Sequence, residues 1–67
     1  MNLLKTIHTD TAFANLYAEN SFTSAVVSQS TLWEKLLIQK ESDSFYKVLC
    51  EDGYQGWIHK TQVTDKM

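Results

Sequence analysis

The sequence of 67 residues contains no arginine, no long apolar run and only one cysteine. Six lysines are outnumbered by eight acidic residues, which gives a formal net charge of −2. Nucleic-acid-binding proteins usually carry a basic patch, and arginine is the side chain best suited to bidentate phosphate contacts. The composition therefore predicts no nucleic-acid partner, and the lack of a long apolar run predicts no membrane span.

The single cysteine, Cys50, cannot form an internal disulfide, so the chain must rely on packing. A single domain of this size buries only about 60% of its unfolded surface, near the lower limit for folding without cross-links. Cys50 alternates with Tyr46 and Val48 along an apolar run, which predicts an inward-facing thiol. A buried thiol without a partnered base is expected to be inert.

No catalytic or metal-binding pattern stands out. His8 and His59 have no metal-ligand spacing, and His59 is expected to face solvent in a turn. Glu51 and Asp52 flank a predicted turn and are expected to be solvated charges rather than a general acid–base pair. We therefore expect a protein that is not an enzyme and that has no cofactor or metal.

Residues 1–10 lack the continuous apolar region of a secretory signal. We expect them to form a lead-in that packs loosely or pairs with the last strand, and residues 64–67 to form a polar tail. The protein could stay inside the cell, belong to a larger enzyme or have lost an export segment, so the sequence leaves the compartment open.

The strongest structural signal is a hairpin, in which Phe45–Cys50 and residues 54–58 are β-rich runs joined by Asp52-Gly53. Asp-Gly between such runs predicts a tight turn, because both positions tolerate positive φ. The other glycine, Gly56, is expected at a β-bulge or at a close packing contact beneath Trp57.

Residues 31–40 fit both a helix and a strand. Thr31 and Glu34 form a capping-box pattern, and four apolar residues recur at helical spacing, namely Leu32, Trp33, Leu36 and Leu37. In favour of a strand, Leu36 and Ile38 would share one face, and turn-rich segments lie on both sides.

Two upstream segments are also open to more than one interpretation. Residues 11–18 fit a helix or a strand, and in a strand Ala14 and Leu16 would share one face. Residues 19–30 are rich in Asn, Ser and Thr, which favour turns. Within them, residues 25–27 predict a short strand or a loop tucked against the core.

The hairpin resembles the C-terminal part of bacterial SH3-like (SH3b) domains. That family has an aromatic residue followed by Tyr, Lys and Val on one strand, then a D-G-Y turn and G-W-[IV]. The matching residues here are Phe45, Tyr46, Lys47, Val48, Asp52, Gly53, Tyr54, Gly56, Trp57 and Ile58. Ala14-Asn15-Leu16 resembles the opening A-N-[VL]-R motif, with Tyr17 in place of Arg.

The resemblance implies an all-β fold, a small SH3-like barrel of about five to six short antiparallel strands with a long first loop. The barrel would cover residues 11–63. This resemblance favours a strand for residues 11–18 and for residues 31–40, and it places Trp33 where relatives usually carry a turn glycine. Asn20 replaces a proline that is frequent in the family.

Bacterial SH3-like domains accompany cell-wall enzymes, including NlpC-type peptidases that cut peptidoglycan stem peptides. The resemblance implies a non-catalytic binding or targeting module. Its partner would be a cell-wall peptide or an adjacent catalytic domain, in the cell envelope if the enzyme is exported. The alternative is a protein–protein interaction or scaffold module unrelated to the cell wall, and the chain could associate weakly with itself.

Eight aromatic residues are too many for the core of so small a barrel, so some must reach the surface and mark an interaction site. Tyrosine and tryptophan suit peptide recognition because they combine rigid apolar area with a polar group. The predicted ligand-binding residues are Tyr17, Glu19, Trp33 and Trp57. In the alternative interpretation, Tyr46, Tyr54 and Trp57 complete the core and Glu19 is a solvated loop charge.

Overall fold

A computed structural model of the chain describes residues 5–65. Within this range seven strands form one antiparallel sheet: β1 (Lys5–Thr9), β2 (Phe13–Tyr17), β3 (Val26–Thr31), β4 (Lys35–Glu41), β5 (Phe45–Cys50), β6 (Gln55–His59) and β7 (Val63–Thr64). The only helix in this range is the 3₁₀ turn Lys60–Gln62, and no helix there is long and apolar enough to cross a membrane.

The sheet curls into a half-barrel with the strand order β3-β2-β6-β5-β4-β1-β7. Six of its strands have five residues or more, and β7 has two. The prediction of an all-β, SH3-like barrel is confirmed. Residues 18–25 between β2 and β3 form the long first loop.

The N-terminal segment contributes a full strand. β1 pairs with β7 at the end of the chain and, over more residues, with β4. Ile7 on β1 is buried. Residues 1–4 of the expected lead-in and residues 66–67 of the expected polar tail lie outside the described residues, whereas Thr64 belongs to β7.

Alternation along the strands builds the core, because successive side chains point to opposite faces of a sheet. The core consists of Ile7, Ala14, Leu16, Leu36, Val48, Cys50 and Ile58. The predicted strand around Leu16 and the predicted inward thiol of Cys50 are confirmed. Residues 25–27 were expected to form a short strand or a loop tucked against the core. The strand is the outcome, since they lead into β3, and Val26 and Val27 are about half exposed.

Residues 31–40 are strand rather than helix over most of their length, since β4 starts at Lys35. Residues 32–34, however, form a turn, so the expectation that this part is extended is wrong. The Glu34 N–H donates to the Thr31 carbonyl at 3.0 Å, and the Thr31 N–H donates to Glu34 Oε1 at 3.2 Å. Thr31 and Glu34 therefore close a β-turn. The Glu34 carboxylate accepts from the Thr31 N–H as it would in a capping box, but the Glu34 N–H donates to the Thr31 carbonyl and not to its hydroxyl.

Trp33 lies within this turn at φ +67°, and it is the only non-glycine residue of the described range in the left-handed region. Its N–H donates to the Thr9 carbonyl at 2.8 Å, which fixes the turn against β1. A side chain in this region costs about 1 kcal/mol or more, whereas glycine adopts it freely. The backbone of the turn alone would therefore favour glycine.

Buried hydroxyls join β1 to β3, which are not neighbours in the sheet. Thr9 and Ser30 are completely buried, and their hydroxyls form a hydrogen bond. Ser30 Oγ donates its one proton to Glu34 Oε1 at 3.0 Å, so Thr9 must be the donor in the hydroxyl pair. The Thr9 N–H also donates to the Glu34 carbonyl at 3.0 Å. We call Thr9, Ser30 and Glu34 the seam network.

The two glycines serve different purposes. The predicted hairpin between β5 and β6 is confirmed, but only Gly53, at φ +92°, uses a positive φ. Gly56 pairs regularly with Val48, and a Cβ added there would lie 2.8 Å from Leu16 Cβ. Close packing against β2, rather than a bulge, explains Gly56.

Replacing Gly56 should therefore destabilise the fold. Gly56→Ala is expected to lower the free energy of unfolding by about 1–3 kcal/mol, because the buried Leu16 cannot withdraw. In the control Gly53→Asn, asparagine tolerates the left-handed backbone and meets no atom within 4 Å, so the loss should be clearly smaller. Urea denaturation measures both variants, and wild-type stability of Gly56→Ala would contradict the close contact.

Candidate functional site

A second group of packed rings lies on the outer face of the sheet, away from the core. Val48 and Cys50 on β5 point inward, so Phe45 points outward by alternation. Phe45 is nevertheless only 5% exposed. Its neighbour across the ladder is His59 on β6. Phe45 is covered because the first loop folds over this face.

Phe22, in the first loop, supplies the cover. Its ring centroid lies 5.0 Å from that of Phe45 and 5.1 Å from that of His59, on which it stacks at 27°. Tyr17 meets Phe22 and Phe45 edge-on at 5.5 and 6.2 Å. We call Tyr17, Phe22, Phe45 and His59 the loop cluster. Phe22 remains 61% exposed, so the cluster also presents an aromatic surface to solvent.

The first loop is built from local hydrogen bonds, as its Ser- and Thr-rich composition predicts. Ser24 Oγ donates to the Ser21 carbonyl at 2.7 Å, and the hydroxyls of Ser21 and Thr23 lie 2.7 Å apart. The Ala18 N–H donates to the Ala25 carbonyl at 2.8 Å and closes the base of the loop. These bonds shape the loop, while Phe22 supplies ring contacts with the sheet.

The expectation that His59 faces solvent in a turn is wrong. His59 is half-buried at the end of β6, and its Nδ1 accepts a hydrogen bond from the Thr61 N–H at 3.2 Å. The imidazole thus caps the 3₁₀ turn and also belongs to the loop cluster. Its place in the loop cluster could not be predicted because it depends on tertiary ring contacts, whereas the bond from Thr61 is local.

A shallow groove of about 350 Å³ adjoins the loop cluster. It is lined by Asn20 of the first loop, by Ser42, Asp43 and Ser44 of the β4–β5 turn, and by Phe45. The groove combines an aromatic wall with amide, hydroxyl and carboxylate groups. This mixture can hold a short polar chain with an apolar side chain, although the volume is at the small end for ligand pockets.

The structure brings together only some of the predicted ligand-binding residues. Tyr17 and Trp57 form a cross-strand pair, and the exposed Glu19 follows at the start of the first loop. Trp33 lies near the other end of β2. It follows directly after β3, and the last residue of β3 pairs with Phe13 at the start of β2 rather than with Tyr17 at its end. The length of β2 alone separates these ends by about 13 Å.

The tyrosines and Trp57 divide between core and surface. Tyr46 packs against the core, as the alternative interpretation predicted. Tyr54 is 58% exposed, and Trp57 lies on the outer face beside Tyr17 rather than in the core. The expectation that some rings of this small barrel reach the surface is confirmed.

Sequence reasoning missed Phe22, Phe45 and His59 as members of one site. A useful signal was present: Phe22 is an isolated aromatic residue within a polar loop, and such a residue gains stability by folding back onto the sheet. Its partners could not be identified, because Phe45 and His59 come together only through the register of the hairpin.

The cluster most suited to reactive chemistry is Glu34, Cys50 and Asp52, whose ligand atoms lie within 4.8 Å of one another. Burial, and then the nearby carboxylates of Glu34 and Asp52, raise the pKa of the Cys50 thiol to about 12. The sulfur is therefore a protonated thiol at neutral pH, whereas nucleophilic attack needs the thiolate. Glu34 Oε1 is already bonded to Ser30, so this arrangement favours a structural role.

The Cys50 thiol should make stability fall as the pH rises above about 9. Its pKa is 9.0 in the unfolded reference and about 12 in the fold, so the folded protein keeps a proton that the unfolded chain releases. The resulting stability is complete below pH 9 and is lost between pH 9 and 12. The slope can reach about 1.4 kcal/mol per pH unit.

Urea denaturation of the wild type and of Cys50→Ala from pH 7 to about pH 10 tests this slope. The variant should lose stability less steeply with rising pH, whatever its absolute stability. Parallel pH dependences in the two proteins would contradict the raised pKa.

The fold and its long first loop define a small SH3-like barrel. Comparison with protein-family models matches residues 16–63 to the bacterial dipeptidyl-peptidase SH3 domain. The matched range extends from β2 to β7 and includes the first loop and the hairpin. The chain therefore belongs to this family of bacterial SH3 domains. A search of curated proteins found no match.

Proposed function

We propose that the chain is a non-catalytic binding module that serves a bacterial cell-wall peptidase, and that it contacts a short cell-wall peptide at the loop cluster. The observation that carries this proposal is Phe22, which is 61% exposed above two packed rings and beside a polar groove. Membership of a family described as a peptidase SH3 domain supports the accessory role.

The chemistry of the loop cluster, of the neighbouring Trp57 and of the polar groove suits a peptide. Tyr17, Phe22 and Trp57 offer rigid aromatic area, and Asn20 and Asp43 offer hydrogen-bonding groups. Glu19 adds an exposed carboxylate at the start of the loop, which would bind an amino or amide group. An apolar side chain of the ligand would pack against the rings while its backbone uses the polar groove.

Distance separates Trp33 from this proposed binding surface. Three extended residues span about 10 Å, which is less than the length of β2 that lies between Tyr17 and the Trp33 turn. A short stem peptide bound at the loop cluster would therefore contact Tyr17, Glu19 and Trp57 without reaching Trp33.

The module would bind such a peptide weakly by itself, because the groove and the exposed rings offer a small contact area. An adjacent catalytic domain would supply the rest of the contacts and the chemistry. The alternative function, a scaffold module unrelated to the cell wall, needs no polar groove, so the polar lining of the groove favours ligand binding.

Titration of a peptidoglycan stem tripeptide into the ¹⁵N-labelled chain tests the proposal. Backbone amide resonances of residues 17–25, 42–45 and 57–59 should shift, with weak affinity. Phe22→Ala should lower the affinity about fivefold or more, because it removes the exposed ring of the cluster. Trp33→Ala is the matched control and should bind the tripeptide like the wild type.

The decisive comparison repeats the titration with a neighbouring peptidase domain present. The absence of shifts around the first loop, with and without that domain, would contradict the proposed function. Equal loss of affinity in Phe22→Ala and Trp33→Ala would contradict its location.

A further inference from the structure

A second exposed surface lies at the end of the barrel opposite the first loop, where three turns meet. These turns are residues 10–12, 32–34 and 51–54. The turn that contains Trp33 is bonded to Thr9, and the Lys35 N–H donates to Glu51 Oε1 at 3.4 Å. We call this surface, residues 10–13, 32–35 and 51–54, the turn end.

The turn end carries much of the exposed apolar surface. Among residues 5–65, seven large apolar side chains are exposed, and four of them lie here: Phe13 (67%), Leu32 (45%), Trp33 (49%) and Tyr54 (58%). Phe13 pairs with the end of β3, directly before Leu32. A concentration of large rings on so small a surface is typical of an interaction site.

Trp33 is the member that the fold does not explain. Its backbone is left-handed, and glycine would satisfy that conformation without the clash of a Cβ. Its indole is about half exposed. Glycine would complete the turn without the conformational energy that tryptophan costs here. A strained backbone that holds an exposed tryptophan therefore indicates that the ring serves contact with another molecule.

The charges around these rings select the partner. Asp10, Glu51 and Asp52 are exposed carboxylates, whereas Lys35 is the single exposed lysine of the turn end. Such a rim attracts a basic surface and disfavours anionic ligands. Two copies of this chain that met through the same surface would bring like charges together, which disfavours a symmetric dimer.

We propose that the turn end is a docking surface for a protein partner whose own contact surface is apolar and rimmed by lysine or arginine, with Trp33 as the anchor. Tryptophan residues at the centre of an interface carry a large share of binding energy, and the charged rim mainly sets specificity and rate. This surface is separate from the loop cluster, so the proposal does not depend on peptide binding there.

Two matched synthetic peptides test the proposal. One has pairs of leucines between lysines, and the other has glutamate in place of every lysine. The lysine peptide should shift the resonances of residues 10–13, 32–35 and 51–54 and the indole N–H of Trp33. It should bind about tenfold more tightly than the glutamate peptide, and its affinity should fall as salt is raised.

Variants of Trp33 separate docking from folding. Trp33→Gly and Trp33→Ala both remove the indole, so each should bind the lysine peptide about tenfold more weakly than the wild type. Trp33→Gly should melt about 4–8 °C above Trp33→Ala, because only glycine relieves the left-handed backbone. Phe22→Ala is the control for an exposed ring elsewhere and should bind the lysine peptide normally.

Four results would each overturn the proposal. The first is equal binding of the two peptides, and the second is shifts centred on the first loop. The third is unchanged affinity in both Trp33 variants. The fourth is self-association of the peptide-free chain in sedimentation experiments that Trp33→Gly abolishes, which would assign the surface to a second copy.

Discussion

The buried hydrogen bonds of the seam network are the constraint on which the rest of the structure depends. Thr9 on β1 and Ser30 on β3 are not on neighbouring strands, yet their hydroxyls meet and lead to the Glu34 carboxylate. One such bond contributes only about 1 kcal/mol, but a buried group left without its partner costs about 1–3 kcal/mol. No buried side-chain N or O atom among the described residues lacks a partner. Opening the seam would leave several buried polar groups without their hydrogen bonds at once, and each would add to the loss of stability.

Because the seam closes a small core, most aromatic side chains must lie outside that core. The concave core is filled largely by aliphatic side chains and Cys50, with Tyr46 at its edge. The remaining rings therefore lie outside it, in two places. Phe22 and its partners pack under the first loop, while Trp33 is held at the other end by its bond to the Thr9 carbonyl. A domain with so small a core thus presents two separate apolar surfaces, one beside a polar groove and one with an acidic rim.

The parts of the fold that could be predicted are those determined by residues close together in the sequence. Alternation of apolar residues predicted the inward face of β5, and Asp52-Gly53 located the hairpin, whereas residues 11–18 fitted a helix or a strand until the family resemblance favoured the strand. The Thr31 and Glu34 pair was ambiguous, because the bond from the Thr31 N–H to the Glu34 carboxylate fits a β-turn as well as a helix start. In the fold, the Trp33 N–H also holds the turn by donating to the Thr9 carbonyl. The loop cluster could not be assembled from the sequence, since Phe22, Phe45 and His59 meet through the fold-back of a loop and the register of a hairpin.

A double-mutant cycle on the seam network tests the central claim most directly. Thr9→Val and Ser30→Ala each remove one hydroxyl with little change in shape, and urea denaturation gives the free energy of unfolding for both single variants and the double variant. If the hydroxyls act together to close the barrel, the double variant should lose about 1 kcal/mol less than the sum of the single losses. Strictly additive losses would show that the two hydroxyls are independent and would contradict the account.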